Sequence, residues 1–211
     1  MKKLFIHVGT PKTGTSTLQR VFFENQQQIL NTKHILYPIH EHSGGCGIGR
    51  VANGAILQPD YYDADALVKK FDSWFEVANT VVLSEEVLFL DNNMDKIQYL
   101  QNNTVNIIIL GFFRNAADYL SSLWMEFNRF ENKRTVKPLN DFMAGRDYLR
   151  GIGNLMTLAE TNPDYTFHLY PYRPKNQGTD SVTQALQTIG VGIETTMQVK
   201  NFNESMTRIE A

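Results

Sequence analysis

The sequence has very little cysteine, no long apolar run and almost no net charge. Its 211 residues include one cysteine, Cys46, so no disulfide can form within the chain. Sparse cysteine favours a reducing compartment. No segment approaches the roughly 18 consecutive apolar residues that a membrane-spanning helix needs, and the apolar part of the N-terminal "MKKLFIHVG" is too short for a secretory signal. We therefore expect a soluble, cytoplasmic protein.

The missing charge and the missing metal-ligand patterns exclude further classes of function. A net charge of −2 gives no general attraction to nucleic acids or anionic membranes, so any anion site must be local. His40 and His42 lie near Cys46, but no second cysteine pair or carboxylate partners accompany them, and we predict no metal site. A 42% apolar composition is enough for a full core, and we expect one domain over residues 1–211. The final "NESMTRIEA" looks like the start of another helix, as expected of a chain that is cut short.

Strand-like and helix-like segments alternate along the chain. Predicted strands cover residues 3–8, 33–37, 80–84, 105–113 and 165–170. Predicted helices cover residues 15–30, 51–57, 61–78, 93–102, 115–130, 138–144, 147–161 and 179–189. This alternation predicts a three-layer, P-loop-like α/β fold, in which helices flank a mostly parallel central sheet of about five strands. Ligands of such sheets bind at the carboxyl ends of the strands.

The first strand is followed by "HVGTPKTGTSTLQ", residues 7–19. Gly9 and Gly14 have the spacing of the phosphate loop G-x-x-x-x-G-K-[ST], but the lysine stands at position 12 instead of 15. Glycines, a helix N-terminus, hydroxyl side chains and Lys12 together predict binding of a phosphate-type anion. A tight strand-to-helix turn is the structural alternative. The threonine at position 15 disfavours an ATP site, where a lysine there would reach the phosphates.

This stretch resembles the 5′-phosphosulfate loop of sulfotransferases that use 3′-phosphoadenosine 5′-phosphosulfate (PAPS). Their pattern is roughly P-K-[ST]-G-[ST]-[ST], and residues 11–17, "PKTGTST", match it. The resemblance implies PAPS as co-substrate and 3′,5′-adenosine bisphosphate (PAP) as product. It also implies that the phosphosulfate is bound by Lys12, Thr13, Gly14, Thr15, Ser16 and Thr17.

A second element, "IIILGFFRNAADYLSSLW" at residues 107–124, has a different character. It predicts a buried strand that places Arg114 at the sheet edge, followed by a helix with Asn115 as N-cap. Taken alone, an arginine at a strand end such as Arg114 is more often a solvated or ion-paired residue. In the same sulfotransferases an arginine and a serine eight residues later bind the 3′-phosphate, which implies this role for Arg114 and Ser122, with Ser121 as a rival.

The two motifs together resemble small carbohydrate sulfotransferases of the bacterial type. This implies transfer of a sulfuryl group to a hydroxyl or amine of a carbohydrate or small-molecule acceptor, with Lys12 stabilising the phosphosulfate. One departure is that the cytosolic branch has a basic, glycine-containing segment over the 3′-phosphate, which Arg173 and Lys175 match poorly. The competing hypotheses are a P-loop kinase or NTPase and a non-catalytic nucleotide-binding protein.

A base is also required, because the acceptor hydroxyl must lose its proton. Glu85 falls nearest the position where the cytosolic branch has a histidine, and Glu86 is its neighbour. The polysaccharide-modifying branch instead has a glutamate after the second strand, which implies Glu41, or His40 in its place. Glu85 and Glu86 could also be the first turn of a helix capped by Ser84, and Glu41 a solvated loop residue.

Two segments are candidates for contact with the acceptor. One is the glycine-rich stretch 40–50, and the other is 129–138, "RFENKRTVKP". The second stretch would suit an acidic sugar polymer, or it is a solvated charge run. The sequence does not separate sugar, lipid and phenol acceptors, and we expect neither nucleic-acid binding nor membrane insertion.

Overall fold

A computed structural model describes residues 1–41, 43–44, 51–57, 63–90, 97, 105–130, 138–144, 148–173 and 179–192. Its strands are β1 (Lys2–Gly9), β2 (Ile35–Leu36), β3 (Thr80–Ser84), β4 (Val105–Phe113) and β5 (Thr166–Pro171). They form a five-stranded sheet in the order β2-β3-β1-β4-β5. Every neighbouring pair is parallel, so the predicted parallel α/β sheet is confirmed.

The helices connect these strands. They are α1 (Thr15–Lys33), α2 (Ala64–Val77), α3 (Val87–Leu90), α4 (Ala116–Phe130), α5 (Leu139–Ala144), α6 (Tyr148–Thr161) and α7 (Ser181–Ile189). The helix predicted at 51–57 is wrong in extent, because only a 3₁₀ turn forms at Gly54–Leu57. The Asn53 side chain and backbone bond to β3 and to the Pro38 carbonyl there, which leaves no run long enough for an α-helix. Of the helix predicted at 93–102, only Ile97 lies within the described residues.

Strand β1 is buried on both faces, which explains its lack of polar alternation. Leu4, Ile6 and Val8 pack into one core cluster with side chains of α2, α3 and α6. Phe5 points the other way, into a second cluster with side chains of α1 and α7. The sheet is therefore covered by helices on both faces, as the three-layer prediction requires.

The sheet order decides which loops meet. Because β1 lies between β3 and β4, the segments that follow these three strands emerge next to each other at one edge. These segments begin with Thr10, Glu85 and Arg114.

Within the described part of the chain, no helix combines the length and apolar character needed to cross a membrane.

Candidate functional site

The loop between β1 and α1 has an unusual backbone. Gly9 (φ 100°), Lys12 (φ 68°) and Gly14 (φ 89°) all lie in the left-handed region. Glycine adopts such angles readily, but a lysine rarely does, and strained residues of this kind concentrate at functional sites. Alternation of left-handed and other residues turns successive N–H groups toward one concavity, which suits an anion.

Hydroxyl groups hold the loop in this shape. The Thr10 amide and hydroxyl both donate to the Phe112 carbonyl of β4, each at 2.9 Å. The Thr13 hydroxyl donates to the Thr10 carbonyl at 2.6 Å. The hydroxyl proton of Thr13 is thus used in a hydrogen bond within the loop. The family resemblance predicts that Thr13 binds the phosphosulfate, and its remaining donor for this role is the backbone N–H.

The N-terminus of α1 presents uncommitted donors to the same loop. The N-cap is Gly14, no side chain of the described residues caps the helix, and its first turn holds no acidic residue. The Thr15 side chain is 2% exposed, and its Oγ1 has no hydrogen-bond partner among the described residues. Buried hydroxyls are nearly always paired, so this one points to a partner outside the described residues. Ser16 and Thr17 follow in the same turn, half-buried and buried.

Arg114 joins the loop from β4. Its Nη1 donates to the Lys12 carbonyl at 3.2 Å, and its guanidinium lies 5.3 Å from the centre of the Tyr172 ring. The predicted N-cap is confirmed, since Asn115 Oδ1 accepts from the Ala117 amide at 2.9 Å. The two sequence motifs, 102 residues apart, are thus in direct contact. Tyr172 was not anticipated from the sequence, although its position directly after a strand end is a usable signal.

Ser122 and Ser121 both lie in the second turn of α4 and are half-buried. Burial therefore does not distinguish the two serines. The assignment of Ser122 as the 3′-phosphate ligand, with Ser121 as the alternative, stays a prediction.

A buried polar network, which sequence reasoning missed, lies beside the loop. His7 Nδ1 is 2.9 Å from Ser84 Oγ, across neighbouring strands β1 and β3. Gln19, in the second turn of α1, donates to the same hydroxyl at 3.2 Å. Thr15 and His7 also line one small depression below the loop, together with Phe112 and Val182. The first turns of α1 are thereby tied to the end of β3.

The burial of His7 is expected to make the stability of the protein depend on pH. Burial lowers its pKa from 6.5 to about 4. In the unfolded chain the imidazole titrates near its ordinary pKa, so between these values the unfolded state binds more protons than the folded state. The free energy of unfolding should therefore fall as the pH drops from about 6.5 toward 4, by on the order of 3 kcal/mol in total. Urea unfolding between pH 4 and pH 7.5 measures this slope. A His7→Gln variant with an equally steep slope would contradict the assignment.

The predicted base candidates occupy different environments. Glu85 Cβ would lie 2.6 Å from a Cβ added to Gly54. The pKa of Tyr37 is raised mainly by burial of the Tyr37 side chain, and further by the negative charge of Glu85. Glu86 Cα would lie 3.7 Å from a Cβ added to Gly9, so it packs against the loop between β1 and α1, residues 9–14, which we name the anion loop.

The other two candidates follow β2. Both Glu41 oxygens accept from Lys70 Nζ, at 2.7 and 2.8 Å. His40 Nε2 is 2.7 Å from the Asn53 carbonyl oxygen. All four candidates thus belong to the segments that follow β2 and β3, at the carboxyl edge of the sheet.

Several predicted positions lie outside the described residues. These are His42, Cys46, Lys175 and most of the two acceptor-contact segments. Within the described part, no group of three or more His, Cys, Asp or Glu side chains could hold a metal ion.

No family model matches the chain, and no curated protein matches it by sequence. Among solved structures it is similar to a sulfotransferase from Alicyclobacillus acidocaldarius, with 15% identity and a TM-score of 0.50, over 97% of this chain and 87% of that one. It is also similar to mouse sulfotransferase SULT7A1 complexed with PAP, with 13% identity and a TM-score of 0.47. That match covers 92% of this chain but only 60% of the mouse protein.

A third similar structure is that of the PezAT chromosomal toxin-antitoxin system of Streptococcus pneumoniae. It has 14% identity and a TM-score of 0.39, over 93% of this chain and 81% of that one. Of the three structures, the bacterial sulfotransferase alone is similar enough to support an inference, and that inference concerns the fold. The chain therefore shares its fold with that bacterial sulfotransferase, in agreement with the parallel α/β fold predicted from the sequence.

Proposed function

We propose that this protein transfers a sulfuryl group from PAPS to a hydroxyl or amine of a carbohydrate or small-molecule acceptor. The observation that carries the proposal is the contact of Arg114 with the Lys12 carbonyl, because it brings together the two motifs that are predicted to bind the anionic groups of the donor. A ligand with phosphate-type groups at both the 5′ and 3′ positions of a nucleoside would satisfy both elements. ATP would leave Arg114 without a 3′-phosphate.

The loop residues suit the phosphosulfate end of such a donor. The backbone amides from Lys12 to Gly14 and the first amides of α1 would donate to its oxygens, with the hydroxyls of Ser16 and Thr17. Thr15 Oγ1, buried without a partner among the described residues, gains an acceptor in this arrangement. Lys12 would place its positive charge near the oxygen that bridges phosphorus and sulfur.

The proposed reaction is an in-line displacement at sulfur. The acceptor oxygen forms a bond to sulfur, the bond between sulfur and the bridging oxygen breaks, and PAP leaves with the electron pair of that bond. Lys12 stabilises the charge that develops on the bridging oxygen. The proton of the acceptor hydroxyl passes to a base, and the candidates are Glu85, Glu86, Glu41 and His40.

Calorimetry with PAP and with ATP·Mg²⁺ tests the proposal. We expect PAP to bind at least about ten-fold more tightly, which corresponds to roughly 1.4 kcal/mol from the extra 3′-phosphate contacts. Adenosine 5′-phosphate, which lacks the 3′-phosphate, is the matched control ligand. Preference for ATP·Mg²⁺ would favour a kinase or NTPase. Binding of PAP without sulfate transfer to any of a set of sugar, amine and phenol acceptors would favour a non-catalytic protein.

A further inference from the structure

We infer that His40 is the base of this reaction and that its Nδ1 accepts the acceptor's proton, an inference that rests on the proposed function. The first argument is the tautomer. A carbonyl oxygen only accepts hydrogen bonds, so the 2.7 Å contact with the Asn53 carbonyl requires a proton on Nε2 of His40. In the neutral ring, Nδ1 is then the basic nitrogen. The same carbonyl stabilises the imidazolium that forms when Nδ1 takes a proton.

The ring and the backbone of His40 are both held in place. The imidazole lies 5.9 Å from the Trp74 ring, centre to centre, so its orientation is set by packing as well as by the hydrogen bond. The His40 amide donates to Ser43 Oγ at 2.9 Å, and the Ser43 amide donates back to the His40 carbonyl at 2.8 Å. A base needs such fixed geometry, because proton transfer depends on the distance and direction of the accepting atom.

Asn53 connects His40 to the sheet edge that carries the anion loop. Its side chain is fully buried, and its amide nitrogen donates to the Pro38 and Val82 carbonyls, each at 3.0 Å. Its Oδ1 accepts from the Ser84 amide at 2.8 Å. Every polar group of the Asn53 side chain is thus used to join the segment before His40 to β3. We assign Asn53 as the positioning residue for His40.

The order of the strands places His40 and the anion loop at the same edge of the sheet. The turn with His40 follows β2 and the loop with Lys12 follows β1, and one strand, β3, separates them. With neighbouring strands ~5 Å apart, the two segments begin about 10 Å from each other. An acceptor that reaches the donor bound by Lys12 therefore has His40 on a segment of the same edge.

The three carboxylates are less suited to the role. Glu41, 57% exposed, has both oxygens engaged by Lys70. Glu85 and Glu86 follow β3 itself and have backbones packed against Gly54 and Gly9. A carboxylate also needs a strongly raised pKa to be an effective base near neutral pH, whereas an imidazole titrates there without any shift.

The test uses a His40→Gln variant, because glutamine can still donate to the Asn53 carbonyl but has no basic nitrogen. We expect the rate of ³⁵S-sulfate transfer from labelled PAPS to sugar, amine and phenol acceptors, or to water, to fall by ~10²–10⁴-fold. The Kd for PAP, measured by calorimetry, should stay the same. His34→Asn is the matched control, since His34 is exposed at the end of α1 and asparagine tolerates its φ of 54°.

A second measurement does not depend on activity. Long-range ¹H–¹⁵N correlation spectra of the wild-type protein above pH 7 should show His40 with its proton on Nε2. A proton on Nδ1, or a His40→Gln variant that keeps its transfer rate while Glu85→Gln loses it, would overturn the inference. Failure of the wild-type protein to bind PAP would overturn the proposed function instead, and the base assignment with it.

Discussion

Replacing Lys12 by alanine is expected to lower the rate of sulfuryl transfer by ~10²–10³-fold, the usual effect of removing one group that stabilises charge in a transition state. Lys12 is the cation within the anion loop itself, and its left-handed backbone sets it among the loop's amides. Its charge matters most when the bond to the bridging oxygen breaks. We therefore expect kcat to fall much more than the affinity for PAP, which lacks the sulfuryl group.

The Lys12 experiment needs a control for backbone strain, because the residue has a φ of 68°. Lys12→Asn removes the charge with a residue that adopts this conformation more easily than alanine does. Both variants should lose activity equally if charge is what matters. Lys33→Ala, which removes a lysine from the last turn of α1, should leave transfer unchanged. Retention of more than about a tenth of the wild-type kcat by both Lys12 variants would contradict the assigned role.

Replacing Arg114 is expected to weaken PAP binding by ~10–100-fold, since a hydrogen bond to a charged group contributes about 1.5–3 kcal/mol. Arg114→Lys should lose most of this affinity as well. A lysine keeps the charge but has neither the planar fork of donors nor the stacking that holds Arg114 against Tyr172.

Calorimetry with two ligands shows whether the 3′-phosphate is the group that Arg114 binds. The wild-type protein should prefer PAP over adenosine 5′-phosphate, and both Arg114 variants should lose that preference. Arg20→Ala is the matched control, because it removes an arginine of α1 that forms an ion pair with Glu24 at 2.6 Å, away from the loop. An equal loss of affinity for both ligands would show that Arg114 acts only by supporting the loop through the Lys12 carbonyl.

The strands and the glycine-framed loop after β1 could be predicted from local patterns. β3 and β4 begin and end at the predicted residues, because uninterrupted β-branched and apolar runs leave few alternatives to a buried strand. β2 could not be delimited this way. Only Ile35 and Leu36 pair with β3, since α1 extends to Lys33 and His34 turns the chain with a left-handed backbone.

The contacts that define the candidate site depend on tertiary structure. The sequence alone determined that a glycine-framed loop with Lys12 follows a buried strand, and that Arg114 ends another, because backbone freedom and apolar burial are local properties. Only the order of the strands in the sheet brings Arg114 to the Lys12 carbonyl. Only the hydrogen bond of Asn53 to β3 places the Asn53 carbonyl beside His40, and this contact fixes the tautomer of the imidazole. These contacts form between segments far apart in the chain, where packing of the whole sheet, and not any local preference, sets the distance.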